Sequence, residues 1–336
     1  MADAPTIWVL ADDRAGNVSQ AVGVAEALGL PFTVKTIHYG ALGRLPNVLL
    51  GATLMGVEED SRPDLAPPWP EAVIAAGRRT APVARWIKRR SGGRAVLAQI
   101  MFPGAVGSDE FDLIAVPTHD RLGTPSANVL RITGAPHRVT PERLRQEALR
   151  WESRVAALPR PFIALIVGGA TRRRPFGPEL ARDLGERTAA LAAGGSVLIA
   201  TSRRTGRDAE EALLEAVPGP RSVYRWGDEG ENPYFAYLGL ADAVVVTGDS
   251  MSMCSESCAT TGPVHIFSPP GWASPKHERL HAELYTLGLA RPLGNAPLDF
   301  WTHPPLNTAG LIADALRGRL PRKGGDPFLE PLYQPL

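Results

Sequence analysis

Short apolar runs alternate with longer stretches of helical periodicity along almost the whole chain. Ile7–Leu10, Phe32–Ile37, Ala72–Ala76, Ala95–Ile100, Asp112–Val116 and Val129–Ile132 are short apolar runs of strand length and read as strands. Ser19–Leu28 and Thr80–Arg90 carry helical spacing between them, which predicts βαβ units. A further helical stretch runs from about Pro141 to Leu158. After Pro159 and Pro161 the scheme repeats, with strands expected at Phe162–Val167, Ser196–Ala200, Ser222–Tyr224, Ala243–Thr247 and Val264–Phe267. Helices are expected at Pro178–Ala193, Asp208–Val217, Pro233–Leu240, Ser250–Thr260 and Pro275–Leu287. In the first of these Leu180, Leu184 and Leu191 share a face, Pro178 suits the first turn, and Gly194-Gly195 stops the helix.

The fold class this predicts is α/β, with a domain over residues 1–158, a second over 159–320, and an extended Pro-rich tail at 321–336. Gly43–Pro70, rich in Gly and Pro, reads as an irregular excursion.

At 336 residues the chain is long enough for two cores, and 44% of it is apolar. No apolar run reaches the roughly 20 residues that span a bilayer, and no signal-like segment opens the chain, so a cytoplasmic location is expected. Peripheral attachment at the inner face of a membrane stays open, with Trp69, Trp86 and the arginines near position 90 as the residues that would meet lipid. A net charge of +1 lacks the excess that nucleic-acid binding needs. Cys254 and Cys258, four apart, provide too few ligands for structural zinc and read as small core residues.

Ligands of open parallel sheets gather beyond the carboxyl ends of strands, so the turns after each strand are the informative ones. Asp12, Asp13, Gly16, Asn17 and Gln20 follow the first strand, where either aspartate suits a base or hydroxyl acceptor, or caps the turn. Gly168-Gly169 with Thr171 and Arg172 to Arg174 offers backbone N–H groups, a hydroxyl and guanidinium forks to a diphosphate. Thr247, Gly248, Asp249, Ser250, Met251 and Ser252 form a strand end, glycine turn and helix start, with Glu256 two turns on as a reader of ribose hydroxyls. His119 and Asp120 supply an imidazole beside a carboxylate, and Ser202 with Arg203 adds positive charge after another strand. His277-Glu278-Arg279-Leu280-His281 matches the H-E-x-x-H zinc pair, but no downstream third ligand fits, and no metal is expected.

With these residues assembled, the chain resembles the mitochondrial fission ELM (elongated mitochondria) family, which has many bacterial members. The matching stretches are Ile7–Leu10 through Asp13, Gly16-Asn17, Gln20, Ala75–Arg79, Pro117–Asp120, Val167–Gly169 and Thr247–Ser250. That family is similar to GT-B glycosyltransferases, which implies two Rossmann-like domains facing across a cleft. By this resemblance Gly168-Gly169 and Ser250 through Glu256 hold the nucleotide diphosphate, and Asp13 and Gly16 lie on the acceptor side. The function implied is transfer of a sugar from a UDP-, GDP- or CMP-linked donor without an obligatory cofactor, with Asp13 or His119 taking the acceptor proton. A lipid-linked acceptor stays open. The alternatives are a nucleotide-sugar epimerase and a non-catalytic scaffold. GT-B chains commonly end in a helix that crosses back to the first domain, and the Pro-rich tail departs from that pattern.

Overall fold

The computed structural model describes residues 6–123 and 126–321. Its first sheet has the order β2-β1-β3-β4-β5-β6, made of β1 (Ile7–Ala11), β2 (Phe32–Thr36), β3 (Ala72–Ala76), β4 (Val96–Ile100), β5 (Leu113–Pro117) and β6 (Val129–Ile132). Strands β1, β3 and β4 are parallel neighbours, and each is buried along its whole length. That burial accounts for unbroken apolar runs instead of alternation. Helices α1 (Ala15–Leu28) and α3 (Thr80–Arg90) make the crossovers, and α2 (Asn47–Leu50) is a single turn within the Gly/Pro-rich excursion. Gly29 ends α1 in the left-handed conformation, at φ 71°.

The second sheet has the order β12-β11-β10-β7-β8-β9, every pair parallel. Its strands are β7 (Phe162–Ile166), β8 (Ser196–Ala200), β9 (Arg221–Tyr224), β10 (Ala243–Thr247), β11 (Val264–Phe267) and the two-residue β12 (Arg291–Pro292). Helices α4 (Pro141–Val155), α5 (Pro178–Leu191), α6 (Arg207–Glu215), α7 (Tyr234–Leu240), α8 (Met251–Ser257) and α9 (Pro275–Thr286) accompany it. One apolar cluster, with Leu198, Tyr237, Val246 and Leu280, lies on one face of the sheet, and another, with Leu165, Leu184, Val245 and Leu213, on the other. Cys254 and Cys258 are free thiols inside the first of these clusters.

Contacts divide the chain into two compact units at other points than residue 158. The first takes the chain up to Val116, a short return up to Leu130, and the chain from Ala309 onward; the second takes Pro117–Gly123 and Arg131–Thr308. Helix α4 belongs to the second because its partner is α7: Trp151 stands edge-on to Tyr237 at 6.2 Å, and a Cβ on Gly239 would lie 2.3 Å from the Leu144 carbonyl. Helix α10 (Thr308–Arg317) belongs with the first, where Arg317 donates to the Leu28 carbonyl and Arg319 to that of Asp112. A terminal helix not expected from the sequence is therefore present, ahead of the stretch read as a Pro-rich tail. Its buried Ala309, Ile312, Ala313 and Leu316 follow the i, i+3, i+4, i+7 spacing of an amphipathic helix. Of that expected tail, all but Pro321 lies outside the described residues.

Candidate functional site

In the C-terminal unit the sheet direction reverses between β7 and β10, which makes the space beyond their carboxyl ends the topological switch point. Three turns meet there. Gly168 donates its N–H to Thr247 Oγ1 at 2.7 Å, and Gly169 donates to Asp249 Oδ2 at 3.1 Å. Ala170 donates to the Arg204 carbonyl, while the Ser202 and Thr205 hydroxyls both donate to the Gly168 carbonyl. Arg204 Nη1 reaches the buried Asp249 carboxylate at 2.6 Å. The turns after β7, β8 and β10 are thereby clasped together.

This changes the roles expected for several residues. The N–H groups of Gly168 and Gly169 are committed to protein acceptors, so they are not free donors for phosphate. Thr247 and Ser202 are bonded into the same clasp, and Asp249 brings an acceptor where an anion holder needs donors. The glycines are needed for space: a Cβ on Gly168 would lie 2.5 Å from both Asp249 carboxylate oxygens. Sequence reasoning picked Arg203 for the positive charge, yet Arg203 is exposed and Arg204 makes the ion pair. Two adjacent arginines carry no sequence signal for which one turns inward.

The donors left for a ligand stand at the rim. Thr171 and Arg174 exchange backbone hydrogen bonds, closing a tight turn that leaves Arg172 and Arg173 exposed. This turn, with Ser274 and Pro275 at the start of α9, lines an open recess of about 540 Å³. Ser250 caps α8, its Oγ accepting the Met253 N–H, and Met251 and Ser252 form the first helical turn, half-buried. Glu256 lies deeper, its Oε2 accepting a 2.5 Å hydrogen bond from Tyr234 Oη. Burial raises the Glu256 pKa, and the Tyr234 bond and the Arg143 charge oppose the rise.

The H-E-x-x-H imidazoles serve this edge too. His277 Nδ1 shares a 2.6 Å hydrogen bond with Ser274 Oγ. His281 Nε2 donates to the Gly248 carbonyl at 2.9 Å, so the middle of α9 supports the turn after β10. Among the described residues no group of three His, Cys, Asp or Glu side chains is placed to hold a metal ion.

His119 and Asp120 belong to this same unit. Arg279 donates to the His119 carbonyl at 2.8 Å, and Lys276 pairs with Asp120 at 2.6 Å. Burial pushes the His119 ring down to about 4, so it stays neutral and is a weak base at neutral pH. Burial likewise holds His281 near 4. The linkage sign follows: above pH 6.5 these rings are neutral in both states, while between 6.5 and about 4 the unfolded chain takes up protons that the folded chain refuses. Stability is therefore expected to fall on acidification through that window, by up to about 1.4 kcal/mol per ring per pH unit. Melting curves at pH 7 and pH 5 test this, and equal midpoints would refute it.

The N-terminal unit reverses its sheet between β1 and β3. Asp12 is buried, accepting from the Arg14 N–H and from Asn17 Nδ2 at 2.9 Å, so of the two aspartates it is the turn former. Asp13 is exposed and receives Arg79 Nη1 at 2.8 Å on both oxygens. The Arg79 guanidinium stands 6.0 Å from the ring centre of Tyr39, whose hydroxyl is buried with no partner among the described residues. A Cβ on Gly16 would meet nothing within 4 Å, so this backbone faces open space, with Gln20 half-buried one turn along.

Residues 15–320 match the family described as mitochondrial fission ELM1. Uncharacterized protein RP120 of Rickettsia prowazekii (strain Madrid E) is 28% identical over an alignment covering 93% of this chain and 97% of its own. Mitochondrial fission protein ELM1 of Arabidopsis thaliana is 28% identical, covering 82% of this chain and 70% of its own. Among solved structures, a putative UDP-N-acetylglucosamine 2-epimerase from Listeria monocytogenes aligns with a TM-score of 0.52 at 13% identity, covering 94% of this chain and 87% of that one. Arabidopsis thaliana UGT89C1 complexed with UDP-L-rhamnose gives 0.52 at 11% identity, covering 95% and 92%. At such identities the likeness is one of fold: two Rossmann-like α/β domains of the GT-B class.

Proposed function

This chain belongs to the mitochondrial fission ELM1 family, and from that premise and the edge of its C-terminal sheet we propose that it is a nucleotide-sugar-dependent glycosyltransferase of GT-B type. The observation that carries this reading is the clasped switch point, with the recess lined by Thr171 to Arg174 beside it. Arginine forks suit diphosphate oxygens, and the tight Thr171–Arg174 turn presents them at the open recess. The Listeria epimerase and the UDP-L-rhamnose complex, which share the fold, guide the choice of a nucleoside diphosphate sugar as ligand class.

In this reading the C1–oxygen bond to the diphosphate breaks, the guanidinium groups of Arg172 to Arg174 take up its developing negative charge, and C1 bonds to the acceptor oxygen. Of the two candidate bases for the acceptor proton, Asp13 is preferred because it is exposed while His119 is buried. Glu256 keeps Oε1 for ribose hydroxyls, with Tyr234 orienting the carboxylate through Oε2.

Incubating the chain with UDP-, GDP- and CMP-linked sugars and following the anomeric protons by NMR tests the reading. With water taking the place of the acceptor, slow release of free nucleotide and free sugar with loss of the donor signal is the expected result, and D13A abolishes it. An epimerised nucleotide sugar would make the chain an epimerase. Unchanged donors throughout would favour a non-catalytic scaffold.

A further inference from the structure

The Gly/Pro-rich excursion of the N-terminal unit is a closed lobe. A bridge between Tyr39 and Val57 forms its neck, Gly40 donates to the Gly56 carbonyl, and Gly43 packs so tightly on Gly56 that a Cβ there would lie 2.8 Å from the Gly43 Cα. The lobe is fastened to the rest of the unit by side chains. Asn47 Nδ2 donates to the carbonyls of Arg78 and Pro103, Arg78 reaches back to the carbonyls of Arg44 and Leu45, and Arg85 Nη1 joins those of Gly51 and Val106.

A lobe held this firmly should turn its apolar residues inward, and Leu50 and Val57 do so. Leu42, Val48, Leu49 and Met55 do not, nor does Val106 on the segment fastened to it; the five are 46% to 64% exposed. They are five of the eleven large hydrophobic side chains exposed among the described residues, gathered at one edge of one unit. Such a gathering marks an interaction surface.

Its charge and composition select the partner. Residues 38–57 contain Arg44 and no carboxylate, and exposed Arg78 lies against the same lobe; acidic residues resume only past the neck, at Glu58 to Asp60, and after Val106 at Asp109. The exposed apolar side chains are aliphatic or Met, without the aromatic anchors that dominate protein–protein hot spots. Glu58 at the neck, beside Gly40, is the nearest exposed carboxylate, and none lies among the apolar side chains from Leu42 to Met55. Aliphatic side chains beside arginines complement the interface of a membrane bearing anionic lipid.

We propose that the lobe of Leu42, Val48, Leu49 and Met55, with Val106 beside it and Arg44 and Arg78 at its rim, seats the protein on an anionic lipid bilayer. Trp69 and Trp86, expected from sequence to meet lipid, instead pack with Trp8 in an aromatic cluster, at centroid distances of 6.2 Å and 5.7 Å. The inference does not depend on nucleotide binding. A protein so seated holds the carboxyl edge of its N-terminal sheet at the surface where a lipid-linked acceptor would present a hydroxyl.

Cosedimentation of the full chain with phosphatidylcholine vesicles, with and without phosphatidylglycerol, tests the proposal. The wild-type chain should bind the phosphatidylglycerol vesicles more strongly, and V48D/L49D should lose at least about tenfold in partitioning with an unchanged melting temperature. R44E should lose most of the preference for phosphatidylglycerol, and V48S/L49S provides the milder pair should the aspartates impair folding. Equal partitioning of wild type and both double variants, or no wild-type binding to either vesicle, overturns the proposal. So does a dimer in analytical ultracentrifugation that V48D/L49D dissociates without affecting vesicle binding, since the lobe would then be an interface between copies of the chain.

Discussion

Replacing Gly169 with alanine is expected to cost the C-terminal unit on the order of 4 kcal/mol of stability. Gly169 has φ 127°, a conformation open essentially to glycine alone, and its missing Cβ would lie 2.3 Å from the Arg204 carbonyl oxygen and 2.7 Å from the Thr205 Cα. Both obstacles are backbone, fixed by the Ala170 to Arg204 hydrogen bond and by the Thr205 hydroxyl on Gly168, so no rotamer change relieves them. Backbone strain of about 1–3 kcal/mol adds to an overpacking cost of similar size. For a domain of this size that corresponds to a fall of roughly 10 °C in melting temperature, readable by calorimetry. A variant melting within about 2 °C of wild type would mean that the three turns are not locked as described.

The second large effect is expected from Asp249→Ala. Its carboxylate receives the Gly169 N–H and the Arg204 guanidinium, and its Oδ1 is buried without a partner. Removing it strands a buried N–H, while the 35% exposed Arg204 side chain can turn to water. The expected cost is therefore at the low end of the range for a charged hydrogen-bonding group, about 2 kcal/mol. Asn at this position keeps an acceptor for Gly169 and should recover about half of that loss. Urea midpoints of the two variants check the order, and a D249A chain as stable as wild type would show that Asp249 is not what ties the turns.

Both variants act on a clasp that was only partly legible in the sequence. Strand and helix positions could be read because parallel strands buried on two faces leave unbroken apolar runs, as in Phe162–Ile166 and Ala243–Thr247, with Gly or Pro between elements. The turns at Gly168 and Gly248 could be found because a doubly wound sheet places them at its carboxyl edge. What each residue does there could not, since it depends on partners 33 to 80 positions away: Asp249 on Gly169, Ser202 on Gly168, Gly248 on His281. A motif of glycines, hydroxyls and a carboxylate looks alike whether its groups wait for a phosphate or satisfy one another. Helix α4 was placed with the wrong half because periodicity shows that a helix has an apolar face and not which partner covers it. Helix α10 went unread although its spacing was present, just ahead of the prolines of the expected tail.

The central claim is that the C-terminal sheet edge receives a nucleoside diphosphate at the arginine turn. Isothermal titration calorimetry of the full chain with UDP, GDP and CMP, repeated on R172A/R173A, tests it most directly. Both arginines are exposed, so the variant should fold as wild type does. Saturable binding of one of the nucleotides to the wild-type chain is predicted, weakened by roughly tenfold or more in the variant. No binding of any of the three, or equal binding by wild type and variant, would contradict the account.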